Sequence, residues 1–100
     1  MNYRVRFTAA AREDLRRLFE FLAENDLVAA ERAYDVIEKA FDLLAVLPFT
    51  CRKAIDGDSP FLRELIISFG SGGYVALFEI EDRQTVTVLA VRHQREDDYH

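Results

Sequence analysis

The chain has 100 residues, of which 50% are hydrophobic and 31% are charged, a balance that fits one compact domain and excludes intrinsic disorder. No apolar run approaches the roughly 20 residues that span a bilayer, so we expect neither a membrane partner nor a signal peptide. The 18 acidic residues outnumber the 13 basic ones, and the net charge of −5 disfavours generic binding to nucleic acid. The single cysteine, Cys51, cannot form an internal disulfide, which favours a reducing, cytoplasmic location.

The first half of the chain predicts one strand followed by two helices. Residues 2–7 alternate between apolar and polar side chains, which is typical of a strand with one buried face. Thr8 is suited to cap a first helix, and Asp26 to cap a second helix that Pro48 bounds. The short link between these helices predicts an antiparallel hairpin. We expect seven of their apolar residues to be buried against a sheet: Leu15, Leu18, Phe19, Leu22, Ile37, Phe41 and Leu44.

The second half of the chain predicts a sheet. Residues 48–60 lack a pattern and are predicted to form a loop, whereas residues 61–69, 74–80 and 85–92 are predicted to form three strands. Their short connections, including the glycine-rich segment 70–73, make them antiparallel neighbours. The predicted fold is α+β: residues 1–100 form a single domain in which an N-terminal strand, a helical hairpin and three antiparallel strands build one sheet, with the helices on one face.

Two of the predicted strands are apolar on both sides, although two helices can cover only one face of a sheet. Leu62 and Ile66 lie on the second side of strand 61–69, and Leu89 and Val91 are expected on the second side of strand 85–92. An uncovered apolar face usually marks a partner surface. The loop at 48–60, or a second copy of the chain, could cover this face instead.

The C-terminal segment Arg92-His93-Gln94-Arg95-Glu96-Asp97-Asp98-Tyr99 is the strongest candidate site. His93 can act as an acid or base near neutral pH, Arg95 can stabilise an anionic phosphate, and Tyr99 can stack on a base or donate a proton. Arg63 is a second candidate, because it lies on an otherwise apolar side of its strand. A solvated charged tail, and an ion pair between Arg63 and Glu64 of a neighbouring copy or another acid, are the alternatives. No phosphate-binding glycine loop or zinc-ligand spacing is present, so we expect no cofactor and no metal.

The order of these elements, the segment Phe61-Leu62-Arg63-Glu64-Leu65 and the ending from Val91 to Tyr99 together resemble the RelE/ParE toxins of bacterial type II toxin–antitoxin systems. The resemblance covers almost the whole chain. It implies a small cytoplasmic bacterial toxin that arrests growth, is associated with plasmid stabilization, and is wrapped by a cognate antitoxin. The antitoxin would then cover the apolar residues of the second sheet face: Leu62, Ile66, Leu77, Leu89 and Val91.

The superfamily has two main activities. RelE-like members cut messenger RNA in the ribosome and usually place an arginine after the aromatic residue that starts the middle strand of the three, whereas this chain has Tyr74-Val75. ParE-like members poison DNA gyrase by direct protein contact, and many of them also carry that arginine. Val75 departs from both patterns, but the missing arginine weakens the case for a nuclease more than the case for a gyrase inhibitor. The resemblance therefore favours a ParE-like gyrase inhibitor that is not an enzyme. Its target contacts would be Arg63, Arg92, His93, Arg95 and Tyr99.

Three alternatives remain open. The first is a RelE-like nuclease, because Arg95 and Tyr99 match the basic and tyrosine positions of the RelE ending and His93 could serve as acid or base. This alternative is the only one that requires direct contact with nucleic acid. The second is an inactive homologue that only binds an antitoxin. The third is an unrelated homodimer with the same order of elements.

Overall fold

A computed structural model describes residues 2–54 and 59–95. Along the chain these residues form β1 (Arg4–Phe7), α1 (Ala9–Ala23), α2 (Leu27–Leu44), a 3-10 turn (Pro48–Thr50), β2 (Arg52–Lys53), β3 (Leu62–Phe69), β4 (Gly72–Ile80) and β5 (Thr85–His93). The strands form one sheet in the order β1-β5-β4-β3-β2. β1 runs parallel to β5, and the other neighbours are antiparallel. The predicted α+β fold is confirmed, including the place of the N-terminal strand in the sheet.

Both predicted helix caps are present. The side chain of Thr8 accepts a hydrogen bond from a backbone N–H of the first turn of α1 at 3.1 Å, and Asp26 does the same for α2 at 3.0 Å. These bonds satisfy donors that have no partner inside the helix. α2 ends at Leu44, a few residues before the predicted boundary at Pro48, which begins a separate 3-10 turn.

The core lies between the sheet and the helical hairpin. Leu18 and Phe41 are 7% and 8% exposed, as predicted, and the ring of Phe41 meets Phe7 edge to face at 5.0 Å. Ile37 and Leu44 are also buried, whereas Leu15 and Leu22 are half-buried.

The prediction that Phe19 is buried is wrong, since its side chain is 37% exposed. Its ring meets Tyr34 of α2 edge to face at 6.5 Å. The apolar stripe of α1 is therefore wider than the part of the helix that the sheet covers.

A β-bulge in β5 changes which side chains face the core. Residues 77 and 78 of β4 are consecutive, but they pair with Ala90 and Val88, so Leu89 is an extra residue. Beyond the bulge the alternation shifts by one position, and Val91 joins Val88 in the core with 1% exposure. The predicted place of Val91 on the second sheet face is wrong for this reason, because strict alternation does not continue through a bulge.

Two side chains of the α1 region bind the backbone of the bulge. The hydroxyl of Thr8 donates to the carbonyl of Leu89 at 3.1 Å, and the carboxylate of Asp14 accepts from the N–H of Val91 at 2.8 Å. Asp14 is only 1% exposed, with Arg17 at 3.9 Å from its second oxygen. A buried carboxylate requires such partners. We call Thr8 and Asp14 the bulge clasp, since together they fasten α1 to β5.

The turn between β3 and β4 is shorter than the predicted connection at 70–73. Phe69 pairs directly with Gly72, so only Gly70 and Ser71 connect the strands. Gly70 has a φ of 60°, in the left-handed region that favours glycine. A side chain at Gly73 would meet the backbone, because its Cβ would lie 2.1 Å from the carbonyl oxygen of Ile67.

Candidate functional site

His93 lies at the end of β5 and is fixed by its neighbours. It pairs with Tyr74 across the β4–β5 ladder, and the two rings meet edge to face at 5.6 Å. Its Nδ1 accepts a hydrogen bond from the backbone N–H of Arg95 at 3.1 Å. In the neutral imidazole the proton then resides on Nε2, which is the atom available to donate to a target. Burial raises the pKa of Tyr74 above its ordinary value.

The two arginines of the predicted site differ in their surroundings. Arg92 is half-buried and donates to the backbone carbonyls of His93 and Gln94 at 3.3 and 3.4 Å. Arg95 is exposed. Arg92, His93 and Arg95 thus lie at one end of the sheet, with Arg92 and His93 on opposite faces of β5, while Tyr99 lies outside the described residues.

Arg63 is not part of this group. It pairs with Phe78, towards the other end of β4, and its guanidinium binds main-chain carbonyls. Nε donates to Pro60 at 2.8 Å, and Nη1 donates to Phe49 at 3.1 Å and to Cys51 at 2.8 Å. The guanidinium carbon also lies 5.3 Å from the centre of the Phe49 ring. These contacts hold the segment after α2 against β3 and account for an arginine here in structural terms.

The neighbouring Glu64 anchors the same segment from the other side of β3. It is 6% exposed and accepts from Nε and Nη2 of Arg52 at 3.0 and 2.9 Å. Arg52 therefore occupies the carboxylate that could have paired with Arg63 of a second copy. The prediction of a patternless loop at 48–60 is wrong in part, since it contains β2. A two-residue strand has no period, but an acidic residue in an apolar strand is a signal that a charged partner lies nearby.

The outer face of the sheet, on the side away from the helices, holds only part of the predicted set of antitoxin contacts. Of the five predicted antitoxin contacts, Leu62, Ile66 and Leu77 lie on this face, and Leu89 lies in the bulge. Ile66 is 42% exposed, and the other three are half-buried.

An apolar concavity lies on the side of the sheet that the helices cover. It runs over β1 between α1 and α2, and its volume is about 740 Å³. Six of the chain's twelve aromatic residues line it: Tyr3, Phe7, Phe19, Tyr34, Phe41 and Tyr74. Its rims carry Arg12 and Arg16 on α1 and Glu38 and Asp42 on α2. We call this concavity the helical groove. Sequence reasoning missed it because its apolar residues have the spacing of ordinary core positions.

The thiol of Cys51 is half-buried beside Arg63. Burial raises the pKa of the Cys51 thiol above its ordinary value, and the Arg63 cation and a hydrogen bond involving Thr50 offset only part of this effect. Within residues 2–54 and 59–95, no group of three or more histidine, cysteine or acidic side chains could hold a metal ion. In the same part of the chain, neither helix has the length and apolar character needed to cross a membrane.

Comparisons with known proteins agree with this architecture. Residues 5–98 match the family model described as the ParE toxin of the type II toxin–antitoxin system parDE. The chain is 32% identical over 80 residues to Toxin RelE1 of Caulobacter vibrioides, covering 80% of this chain and 82% of that protein. It is 34% identical over 86 residues to Toxin RelE3 of the same organism, covering 86% and 88%.

Two solved structures share the fold. A chain of the chromosomal ParDE system from P. aeruginosa superposes with a TM-score of 0.71 at 17% identity, covering 95% of this chain and 97% of that one. A chain of the RelBE2 toxin–antitoxin complex from Mycobacterium tuberculosis has a TM-score of 0.59 at 31% identity, covering 93% and 99%. A five-stranded sheet with a helical hairpin on one face is thus the fold of a type II toxin of the RelE/ParE superfamily. The chain belongs to the ParE toxin family within it.

Proposed function

We propose that the chain acts as a ParE-like toxin that inhibits DNA gyrase by direct protein contact and is neutralised by a cognate antitoxin. The observation that carries this proposal is the residue after Tyr74. RNA cleavage requires cations that stabilise the charge developing on phosphorus. Val75 occupies the position where RelE-like nucleases usually place an arginine, and it is 2% exposed. An apolar, buried residue there supports a toxin that does not cut RNA.

The proposed contacts with gyrase are at the end of β5. Arg95 is exposed, and Arg92 and His93 precede it at the end of β5; Tyr99, outside the described residues, is the fourth proposed contact. Guanidinium groups suit carboxylates on a protein target, because they donate two parallel hydrogen bonds. Arg63 is assigned a supporting role, since its guanidinium is already bound to three backbone carbonyls.

The second candidate function is ribosome-dependent cleavage of messenger RNA. Two relatives are named RelE toxins, and Arg92, His93 and Arg95 follow one another closely at the end of β5 here. In this case His93 would exchange a proton with the ribose 2′-hydroxyl or the leaving oxygen, and Arg95 and Tyr99 would stabilise the charged phosphate. Since Val75 supplies no cation, these residues would carry the reaction alone.

Two measurements distinguish these functions. If the chain inhibits gyrase, the purified protein blocks DNA supercoiling by gyrase, and sequencing of RNA ends after a short induction finds intact transcripts. Ribosome-dependent cuts within codons would instead establish the nuclease. A chain that neither arrests growth nor does either of these, but still binds its antitoxin, would be an inactive homologue.

Arg95 offers a direct test of the site. Arg95→Ala removes an exposed charge, so we expect the free energy of unfolding to change by less than about 0.5 kcal/mol while toxicity falls. Arg83→Ala is the matched control, because Arg83 is also exposed but lies in the turn before β5, at the other end of that strand. Equal toxicity of both variants would remove Arg95 from the proposed site.

We also propose that the antitoxin occupies the helical groove in addition to Leu62, Ile66, Leu77 and Leu89. Both solved relatives come from toxin–antitoxin systems. Exposed aromatic side chains in a concave apolar surface are typical of interface centres. Tyr34 is 58% exposed in this groove, so we expect Tyr34→Ala to weaken the complex without unfolding the chain. Phe21→Ala is the control, since Phe21 is 69% exposed but does not line the groove.

A further inference from the structure

The helical groove carries opposite charges on its two sides. Arg12 and Arg16 line the α1 side, and Glu38 and Asp42 line the α2 side. Arg16 already forms ion pairs with Glu13 and Glu20 of its own helix. Among residues 2–54 and 59–95, no side chain forms an ion pair with Arg12, Glu38 or Asp42. The charges that remain for a partner are therefore one cation on α1 and two anions on α2.

The two anions lie close together on α2. Glu38 and Asp42 are four positions apart, which places them one turn apart on the same face of the helix. Like charges at this spacing destabilise a helix slightly, and no basic side chain within the described part of the chain pairs with them. A basic partner on this side of the groove would relieve that repulsion.

The groove also limits the shape of its occupant. Two turns of an α-helix, about 10 Å wide and about 11 Å long, fill roughly 850 Å³. The groove, at about 740 Å³ and open to solvent, is of the same order of size as such a segment. A helix that packs its apolar stripe against α1 and α2 directs its flanking positions to the two sides, as in helix-in-groove complexes and coiled coils.

We propose that these charged rims determine which antitoxin the chain accepts. The matching segment is an amphipathic helix with an acidic residue on the side of Arg12 and basic residues on the side of Glu38 and Asp42. This inference rests on the proposed function, in which the antitoxin occupies the helical groove. Charges around an apolar interface act mainly on the rate of association and on partner choice, because wrong partners place like charges together.

The test uses the whole 100-residue chain and its purified cognate antitoxin. One variant combines Glu38→Lys with Asp42→Lys. Its matched control combines Glu31→Lys with Asp35→Lys. This control changes the net charge by the same amount, and its two residues are also four positions apart, but they are exposed positions of α2 outside the groove. Association rates are measured by biolayer interferometry at low and high salt. Circular dichroism checks that the variants are folded, and Glu38→Gln with Asp42→Asn provides a milder version.

We expect the groove variant to associate about tenfold or more slowly at low salt and to lose most of its salt dependence. The control should change by about threefold or less, because it shares only the long-range effect of net charge. Exchanging the facing basic residues of the antitoxin for glutamate should restore fast association with the groove variant. Equal rates for both double variants, or failure of this rescue, would overturn the inference.

The inference and the function on which it rests fail in different ways. If Tyr34→Ala weakens the complex but the two charge reversals behave alike, the antitoxin occupies the groove, but the charges along its sides do not affect the choice of antitoxin. If Tyr34→Ala has no effect, occupation of the groove itself is wrong. If the chain alone forms a dimer that the groove variant dissociates, the occupant is a second copy and the inference is also wrong.

Discussion

Truncating Asp14 to alanine should destabilise the fold strongly for a polar residue of α1, because its side chain holds the backbone of β5. Its carboxylate accepts from the N–H of Val91 at 2.8 Å and is 1% exposed. Asp14→Ala leaves that N–H without a partner in the interior, where water does not replace the bond. A hydrogen bond to a charged group contributes about 1.5–3 kcal/mol, and an unsatisfied buried donor costs about 1–3 kcal/mol. Both figures describe the same bond, so we expect a loss of about 2–3 kcal/mol in the free energy of unfolding.

The measurement is urea unfolding of the refolded chain, followed by circular dichroism. For a domain of this size the expected loss corresponds to roughly 8–24 °C in melting temperature. Asp14→Asn keeps an acceptor oxygen for Val91 and should lose only about 1 kcal/mol. Asp35→Ala, on the exposed side of α2, is the control, because it makes the same change in helix propensity and should stay within about 0.5 kcal/mol. If Asp14→Ala matched this control, the carboxylate of Asp14 would have no role in stability.

Three further predictions concern the core and the segment after α2. Leu18→Ala and Phe41→Ala should each lower the free energy of unfolding by about 2–5 kcal/mol in urea, since both side chains are buried. Arg63→Ala should cost about 1–2 kcal/mol by the same measurement and speed proteolysis near residues 48–54, because three carbonyls lose a charged donor. Alkylation of Cys51 by iodoacetamide should rise only above the ordinary pKa of a thiol, because burial disfavours the thiolate; a rate–pH profile with a lower midpoint would contradict the burial of this sulfur.

Much of the fold follows from local patterns. The helices were predictable because their apolar residues recur with a period of 3.6 and their caps, Thr8 and Asp26, are suited to the first turn. The main strands were predictable from apolar residues between turn signals. These patterns involve only residues that are close together in the sequence. The helices and main strands of the structure lie where these local patterns predict them.

The predictions are wrong where contacts between residues far apart in the sequence determine the local structure. Val91 was assigned to the wrong face because β5 is apolar on both sides and gives no sign of a bulge, which Thr8 and Asp14 hold from far away in the sequence. β2 was missed because Arg52 is held by Glu64, a partner on another strand.

The candidate site shows the same division. The sequence alone placed Arg92, His93 and Arg95 together, since they are neighbours at the end of one strand. It could not show that Arg63 binds the backbone around Phe49 and Cys51, because that contact depends on how a loop returns to β3.

The parallel pairing of β1 with β5 has a consequence for synthesis of the protein. Arg4 pairs with Thr85, so the first strand gains its neighbour only after nearly the whole chain has been translated. At about 5–20 residues per second, the ribosome adds the intervening segment in roughly 4–16 s. During this interval the apolar side chains of β1 and α1 lack β5, against which they pack in the folded chain. Long-range pairings of this kind are also slow to form. The nascent chain therefore passes through a period in which β5, and with it the proposed gyrase contacts at its end, is absent. A chain that stops before β5 cannot form these contacts.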